Sequence, residues 1–184
     1  MKLLIIEGTD RTGKDTLIQS LMAKYPNSEM VHWGYPIGDT NDEKTEYQKM
    51  SFGYLMRWYK FKKTMGNLDL LIWNRSHIGE YVYGTIYRDS YPQLWIPSME
   101  ETYLSNDEDI ILVLLEADPE FIVKNDDGES YSNKLEDKKV EISKFQQAFN
   151  NSIIINKLKI KVNEGDNYND AESIFNLVDR TINL

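Results

Sequence analysis

Gly8-x-x-x-x-Gly13-Lys14 is the pattern in this chain with the plainest chemistry. The glycines let successive backbone N–H groups turn toward one point. A lysine opening a helix adds a full positive charge to the partial charge of the helix N-terminus. This combination binds phosphate oxygens. The residues that would face such a ligand are Gly8, Thr9, Arg11, Thr12, Gly13, Lys14, Asp15 and Thr16. The hydroxyl that usually follows the lysine is absent: Asp15 takes that place and Thr16 comes next. A second cluster is Asn74-Arg75-Ser76, with Glu80 and Tyr83 near one helical face beyond it. The planar fork of an arginine suits a phosphate because it donates two parallel hydrogen bonds.

Each cluster follows an apolar run. Residues 3–6 predict a buried strand ended by Glu7-Gly8, and residues 70–73 predict another ended by Asn74-Arg75-Ser76. In a parallel sheet both ends face the same crevice, so Arg75 points at whatever the glycine loop holds. Further strands are expected over 30–33, 110–115 and 159–162. Thr40 and Glu43 have capping-box spacing and open a long helix to Met65, closed by Gly66. Its stripe of Tyr47, Met50, Tyr54, Trp58, Phe61 and Met65 steps by three and four and predicts a core-facing side. Other helices are expected over 77–87, after Pro97 with Ser98 and Glu101 as capping box, from Asp118-Pro119, and over 134–151 and 170–182. Strands alternating with helices imply an α/β fold, a parallel sheet covered by helices on both faces. No repeat or linker divides the chain, so one domain over 1–184 is expected. The polar stretch 125–133, just beyond the fourth strand, reads as an active-site lid within a lid region at 119–140, the alternative being a plain solvated turn.

The 184 residues carry a net charge of −9. That balance argues against wrapping a nucleic-acid polymer, which needs a basic stripe, but not against a small phosphate ligand in one basic pocket. With no cysteine in the chain, disulfides and thiolate metal sites are excluded, which fits a cytoplasmic setting. No apolar run is long enough for a membrane span, and the chain opens directly on a core strand, so no membrane association and no signal peptide are expected.

The run Glu7-Gly8-Thr9-Asp10-Arg11-Thr12-Gly13-Lys14 resembles the P-loop of thymidylate kinases, in which an Asp-Arg pair sits inside the loop. Asn74-Arg75-Ser76 with Tyr83 resembles that family's Asp-Arg-Tyr motif and the helix after it, and Tyr35-Pro36 resembles its Phe-Pro after the second strand. The wording from Arg75 through Gly79-Glu80 and Val82-Tyr83-Gly84 to Tyr87-Arg88 is similar to phage-type deoxynucleotide kinases of the same superfamily. The resemblance implies a three-layer P-loop kinase fold with strand order 2-3-1-4-5. It implies ATP-dependent phosphorylation of a deoxynucleoside monophosphate, dTMP or a related pyrimidine, with Mg²⁺, in a homodimer joined through the long helix. The host cytoplasm is the implied location if the gene is a phage's.

Residue by residue, the resemblance gives Lys14 the β- and γ-phosphates and Arg11 the bridge between donor and acceptor phosphates. Arg75 would clamp the acceptor phosphate, Asp10 would hold the sugar 3′-hydroxyl, and Tyr83 would crowd the 2′ position. Tyr35, Arg57 and Glu80 are further substrate contacts on this view. Three departures stand out: Asn74 in place of an aspartate, Asp15 in place of a hydroxyl, and Gly38 in place of an arginine whose role Arg88 would take. Asp15 and Asn74 are the candidate metal-site residues, with Asp15 alternatively a plain helix cap. Two other readings are a kinase for a nucleoside or for a base or end in DNA, and a non-catalytic nucleotide-binding protein.

Overall fold

The computed structural model describes all 184 residues. Strands β1 (Lys2–Glu7), β2 (Ser28–His32), β3 (Leu70–Asn74), β4 (Ile110–Glu116) and β5 (Asn156–Lys161) form one sheet in the order β2-β3-β1-β4-β5. Every pairing is parallel. The helices are α1 (Lys14–Lys24), α2 (Asn41–Met65), α3 (His77–Tyr87), α4 (Ile96–Tyr103), α5 (Pro119–Lys124), α6 (Leu135–Asn151) and α7 (Ala171–Ile182). A short hairpin, β6 (Asn163–Glu164) and β7 (Asn167–Tyr168), precedes α7. No helix is long and apolar enough to cross a membrane.

The central strands are apolar on both faces because both are covered. Leu3, Ile5, Leu71, Trp73, Leu112 and Leu114 pack into one core with residues of α2, α3 and α6. The alternate residues Leu4, Ile6, Leu70, Ile72, Val113 and Leu115 pack into a second core with α1, α5 and α7. This three-layer arrangement and its strand order match the expectation. The second and fifth strands both begin earlier than expected, at Ser28 and Asn156, where pairing to β3 and β4 starts.

Helix ends follow local chemistry. Thr40 and Glu43 form the expected capping box, with Glu43 N–H donating to Thr40 Oγ1 at 3.2 Å and Thr40 N–H to Glu43 Oε2 at 3.0 Å. The expected box at Ser98 and Glu101 does not form: α4 starts at Ile96, and Pro97 occupies its first turn, where no N–H is needed. Asp118 is the N-cap of α5, but its carboxylate takes Asn163 Nδ2 at 3.0 Å and Lys161 at 2.9 Å instead of a backbone N–H.

The stripe on α2 is the main correction. Tyr47, Met50, Tyr54, Phe61 and Met65 are exposed and Trp58 is half-buried. The buried side is Gln48, Phe52, Met56 and Tyr59, which keeps the same three- and four-residue steps. The helix carries two apolar stripes, and periodicity alone does not rank them. Phe52 decides the matter by filling the space among Trp33, Trp73 and His77, with ring centroids 6.3, 6.3 and 4.5 Å away. Phe52→Ala should therefore cost about 3–5 kcal/mol in urea unfolding. Met50→Gln on the open stripe should stay within about 0.5 kcal/mol when unfolding is followed at a protein concentration low enough to keep the chain monomeric.

Candidate functional site

The C-terminal ends of β1 and β3 stand side by side, with Ile6 opposite Asn74. Arg75 N–H then donates to the Ile6 carbonyl at 3.0 Å. The glycine loop leaves β1 at the same level. Gly8 (φ 144°) and Gly13 (φ 78°) take backbone angles that side chains disfavour, and a Cβ at Gly8 would run into the carbonyl of Leu115. Arg11 (φ 63°) and Arg75 (φ 69°) are also left-handed, although neither is glycine. Non-glycine residues held in that region concentrate where geometry matters to function.

Above these strand ends lies a cleft of about 730 Å³. Of the residues singled out from sequence, Asp10, Arg11, Thr12, Gly13, Lys14, Asp15 and Thr16 line it from the loop. Asn74, Arg75, Glu80, Tyr83 and Arg88 line it from β3 and α3, and Tyr35 from beyond β2. Gly8 and Thr9 lie beneath, their carbonyls accepting from Lys14 Nζ at 3.1 and 2.6 Å. Arg57 is not brought to the cleft. It sits on the exposed side of α2, 3.4 Å from the Tyr103 hydroxyl.

Each arginine in the cleft is held by a carboxylate: Arg75 by Asp10, Arg88 by Glu80, and Arg11 by Asp127 from the loop between α5 and α6. Arg75 also donates to the Tyr83 hydroxyl at 3.3 Å and the Gly8 carbonyl at 3.4 Å. Burial acts to raise the Asp10 carboxyl, but Arg75, Lys14 and Lys138 hold it below the usual range. Glu80 is pushed up to about 7 by burial, against the pull of Arg88. Lys14 is pushed down to about 7, by burial first and then by Arg75. Asn74 donates from Nδ2 to Asp15 Oδ1 at 2.8 Å, and its own Oδ1 is buried with no partner.

Four features were missed from sequence. Asp127 and Tyr131 bring the 125–134 loop onto the cleft, and Tyr131 stacks on Tyr83 and Tyr87 with centroids 5.3 and 4.8 Å apart. Tyr168, from the β6–β7 hairpin, donates to the Arg11 carbonyl at 2.8 Å. Gly165-Asp166 between the two strands was a usable turn signal, though two-residue strands give no periodicity. Gln48 enters the cleft from the buried face of α2.

No protein-family model matches the chain, and no curated protein matches it by sequence. Solved structures do match. The YorR protein of Bacillus subtilis, solved in complex with phosphorylated GDP, superposes with a TM-score of 0.64 at 18% identity, over 96% of this chain and 95% of that one. Thymidylate kinase from Candida albicans superposes with a TM-score of 0.65 at 15% identity, over 99% and 91%. The chain shares its overall fold with both.

The lowered Lys14 gives a signed prediction. In the folded protein without an anion, Lys14 releases its proton near pH 7, well below the 10.5 of a free lysine. Between those values the unfolded chain binds more protons, so Lys14 makes stability rise with pH from about 7 upward. An anion beside it restores the proton. Binding of inorganic triphosphate at pH 8 should therefore take up protons, read as a dependence of calorimetric heat on buffer ionisation enthalpy. At pH 6 that uptake should largely vanish.

Proposed function

We propose that this chain is an ATP-dependent kinase of deoxynucleoside monophosphates, with dTMP or a related pyrimidine nucleotide as acceptor. The observation that carries this reading is the placement of Arg75. It lies beside the glycine loop, in contact with Asp10 and Tyr83, so a second phosphate would sit within reach of the first. The fold shared with a thymidylate kinase supports the same reading.

An acceptor monophosphate oxygen is already ionised at neutral pH, so transfer needs no general base. Positioning and charge neutralisation do the work. Arg75 clamps the acceptor phosphate as it gives up Asp10, which is then free for the sugar 3′-hydroxyl. The bulk of Tyr83 beside them disfavours a 2′-hydroxyl. Lys14 and Arg11 hold the transferring group from the donor side. The 125–134 loop carries Asp127 and Tyr131 over the cleft and serves as the lid, excluding water so that ATP is not hydrolysed. A second copy of the chain would dock on the open stripe of α2.

No three His, Cys, Asp or Glu side chains cluster closely enough to cage a metal by themselves. Asp15 and Asn74 nevertheless fit a magnesium ion that keeps its waters and rides on phosphates: a carboxylate in contact with an amide whose Oδ1 is buried and unpartnered. When bound, the ion offsets charge on the moving phosphoryl group. Asp15 supplies the negative charge that the neutral Asn74 lacks.

A coupled ADP-release assay across the deoxynucleoside monophosphates tests the reading. Turnover should be found with a pyrimidine nucleotide, and Arg11→Ala should lower kcat by about 10³ while sparing nucleotide binding. No turnover with any of them would sink the proposal. The metal role has its own test in a double-mutant cycle. Asp15→Ser should raise the Mg²⁺ concentration needed for half-maximal rate, and adding Asn74→Asp should recover much of the loss. Strict additivity would leave Asp15 no part in metal binding.

A further inference from the structure

Gln48 is 2% exposed, lines the cleft, and has no hydrogen-bond partner for Oε1. Its neighbours along the buried face of α2 are Phe52, Met56 and Tyr59. A buried amide oxygen without a partner costs stability that an apolar side chain of the same size does not. Folding by itself therefore favours a methionine or leucine here, and the amide must answer to something that enters the cleft. The same cleft is lined by Trp33 and Tyr35 from beyond β2, by Tyr131 from the 125–134 loop, and by Glu80 of α3 with its partner Arg88 just past the helix end. Such a pocket suits a flat heterocycle, with aromatic rings against its surface and an amide against its edge.

We propose that Gln48 reads the base of the acceptor nucleotide, and that its amide, fixed in neither orientation by the protein, serves 4-keto and 4-amino pyrimidines alike. This rests on the reading of the cleft as a nucleotide acceptor site. With thymine or uracil, Oε1 accepts from N3–H and Nε2 donates to O4. With cytosine the amide turns over: Nε2 donates to N3, and Oε1 accepts from the 4-amino group. A site that distinguishes these bases has to hold the amide one way round with a second hydrogen bond. Gln48 has no such bond at Oε1.

Calorimetric titration of dTMP and dCMP into the protein and into Gln48→Met tests this, alongside thermal unfolding and ADP release. The unmodified protein should bind the two nucleotides with Kd values within about tenfold of each other. Gln48→Met should weaken both by about ten- to a hundredfold, the value of a two-bond base contact. ATP affinity should be unchanged and Tm not lowered. Undiminished affinity in Gln48→Met, a lower Tm, or a preference of the unmodified protein beyond tenfold for one base would overturn the inference. Failure of the kinase reading has a different signature: both nucleotides bind and respond to Gln48→Met, yet neither releases ADP. Absence of binding by both overturns the two together.

Discussion

The bond from the Arg75 amide to the Ile6 carbonyl, 3.0 Å long, fixes the end of β3 against the end of β1. It comes one step after the last paired residues, Ile6 and Asn74. There the chain turns into a left-handed conformation and sends the guanidinium back across the glycine loop. A slip of one residue between these strands would exchange the two faces of the sheet. Since each face belongs to its own core, the slip is strongly opposed. The positions of Arg75 and Asp10 are thus set by leucines and isoleucines that touch neither.

The same constraint brings cations together inside a protein of net charge −9. A desolvated cation without a partner is costly, and the chain places a carboxylate on each arginine of the cleft. A phosphate entering here replaces one anion by another, so the gain is a difference between two strong interactions. Lys14 differs. Its ammonium rests on two carbonyls and no carboxylate contact, and burial with the nearby Arg75 lowers its pKa. It is the group with most to gain from an arriving anion, which suits a loop whose other donors are uncharged N–H groups.

Much of this was legible in the sequence, for reasons that differ by element. The central strands carry unbroken apolar runs, and the Gly8 to Lys14 spacing admits few other uses. Arg75 and Tyr83 could be placed because the first directly follows a strand end and the second lies on the helix that comes next. What was illegible depended on contacts between distant segments. The α2 stripes tie by periodicity, and Trp33 and Trp73 break the tie from other elements. Asp127 lies in a polar stretch whose composition does not tell it from its neighbour Asp126, and only the position of Arg11 selects it. Arg57 failed for the converse reason: spacing alone located it, and the turn of α2 carries it away from the cleft.

Asp15 can be placed by the same kind of argument. A carboxylate in the first turn of a helix commonly accepts from a free backbone N–H, and the helix dipole favours it there. The N-cap of α1 is Gly13, with no side-chain cap bond, and Asp15 Oδ1 instead takes the amide of Asn74 across the loop. The bond is made at a cost: it leaves Asn74 Oδ1 buried without a donor. A helix cap would need neither the amide nor that cost. An aspartate at position 74 would repel Asp15, whereas an asparagine binds it, so one negative charge is kept at the strand end and held from the helix side. The two departures from the resembled pattern thus meet in one contact, the amide at position 74 donating to the carboxylate at position 15.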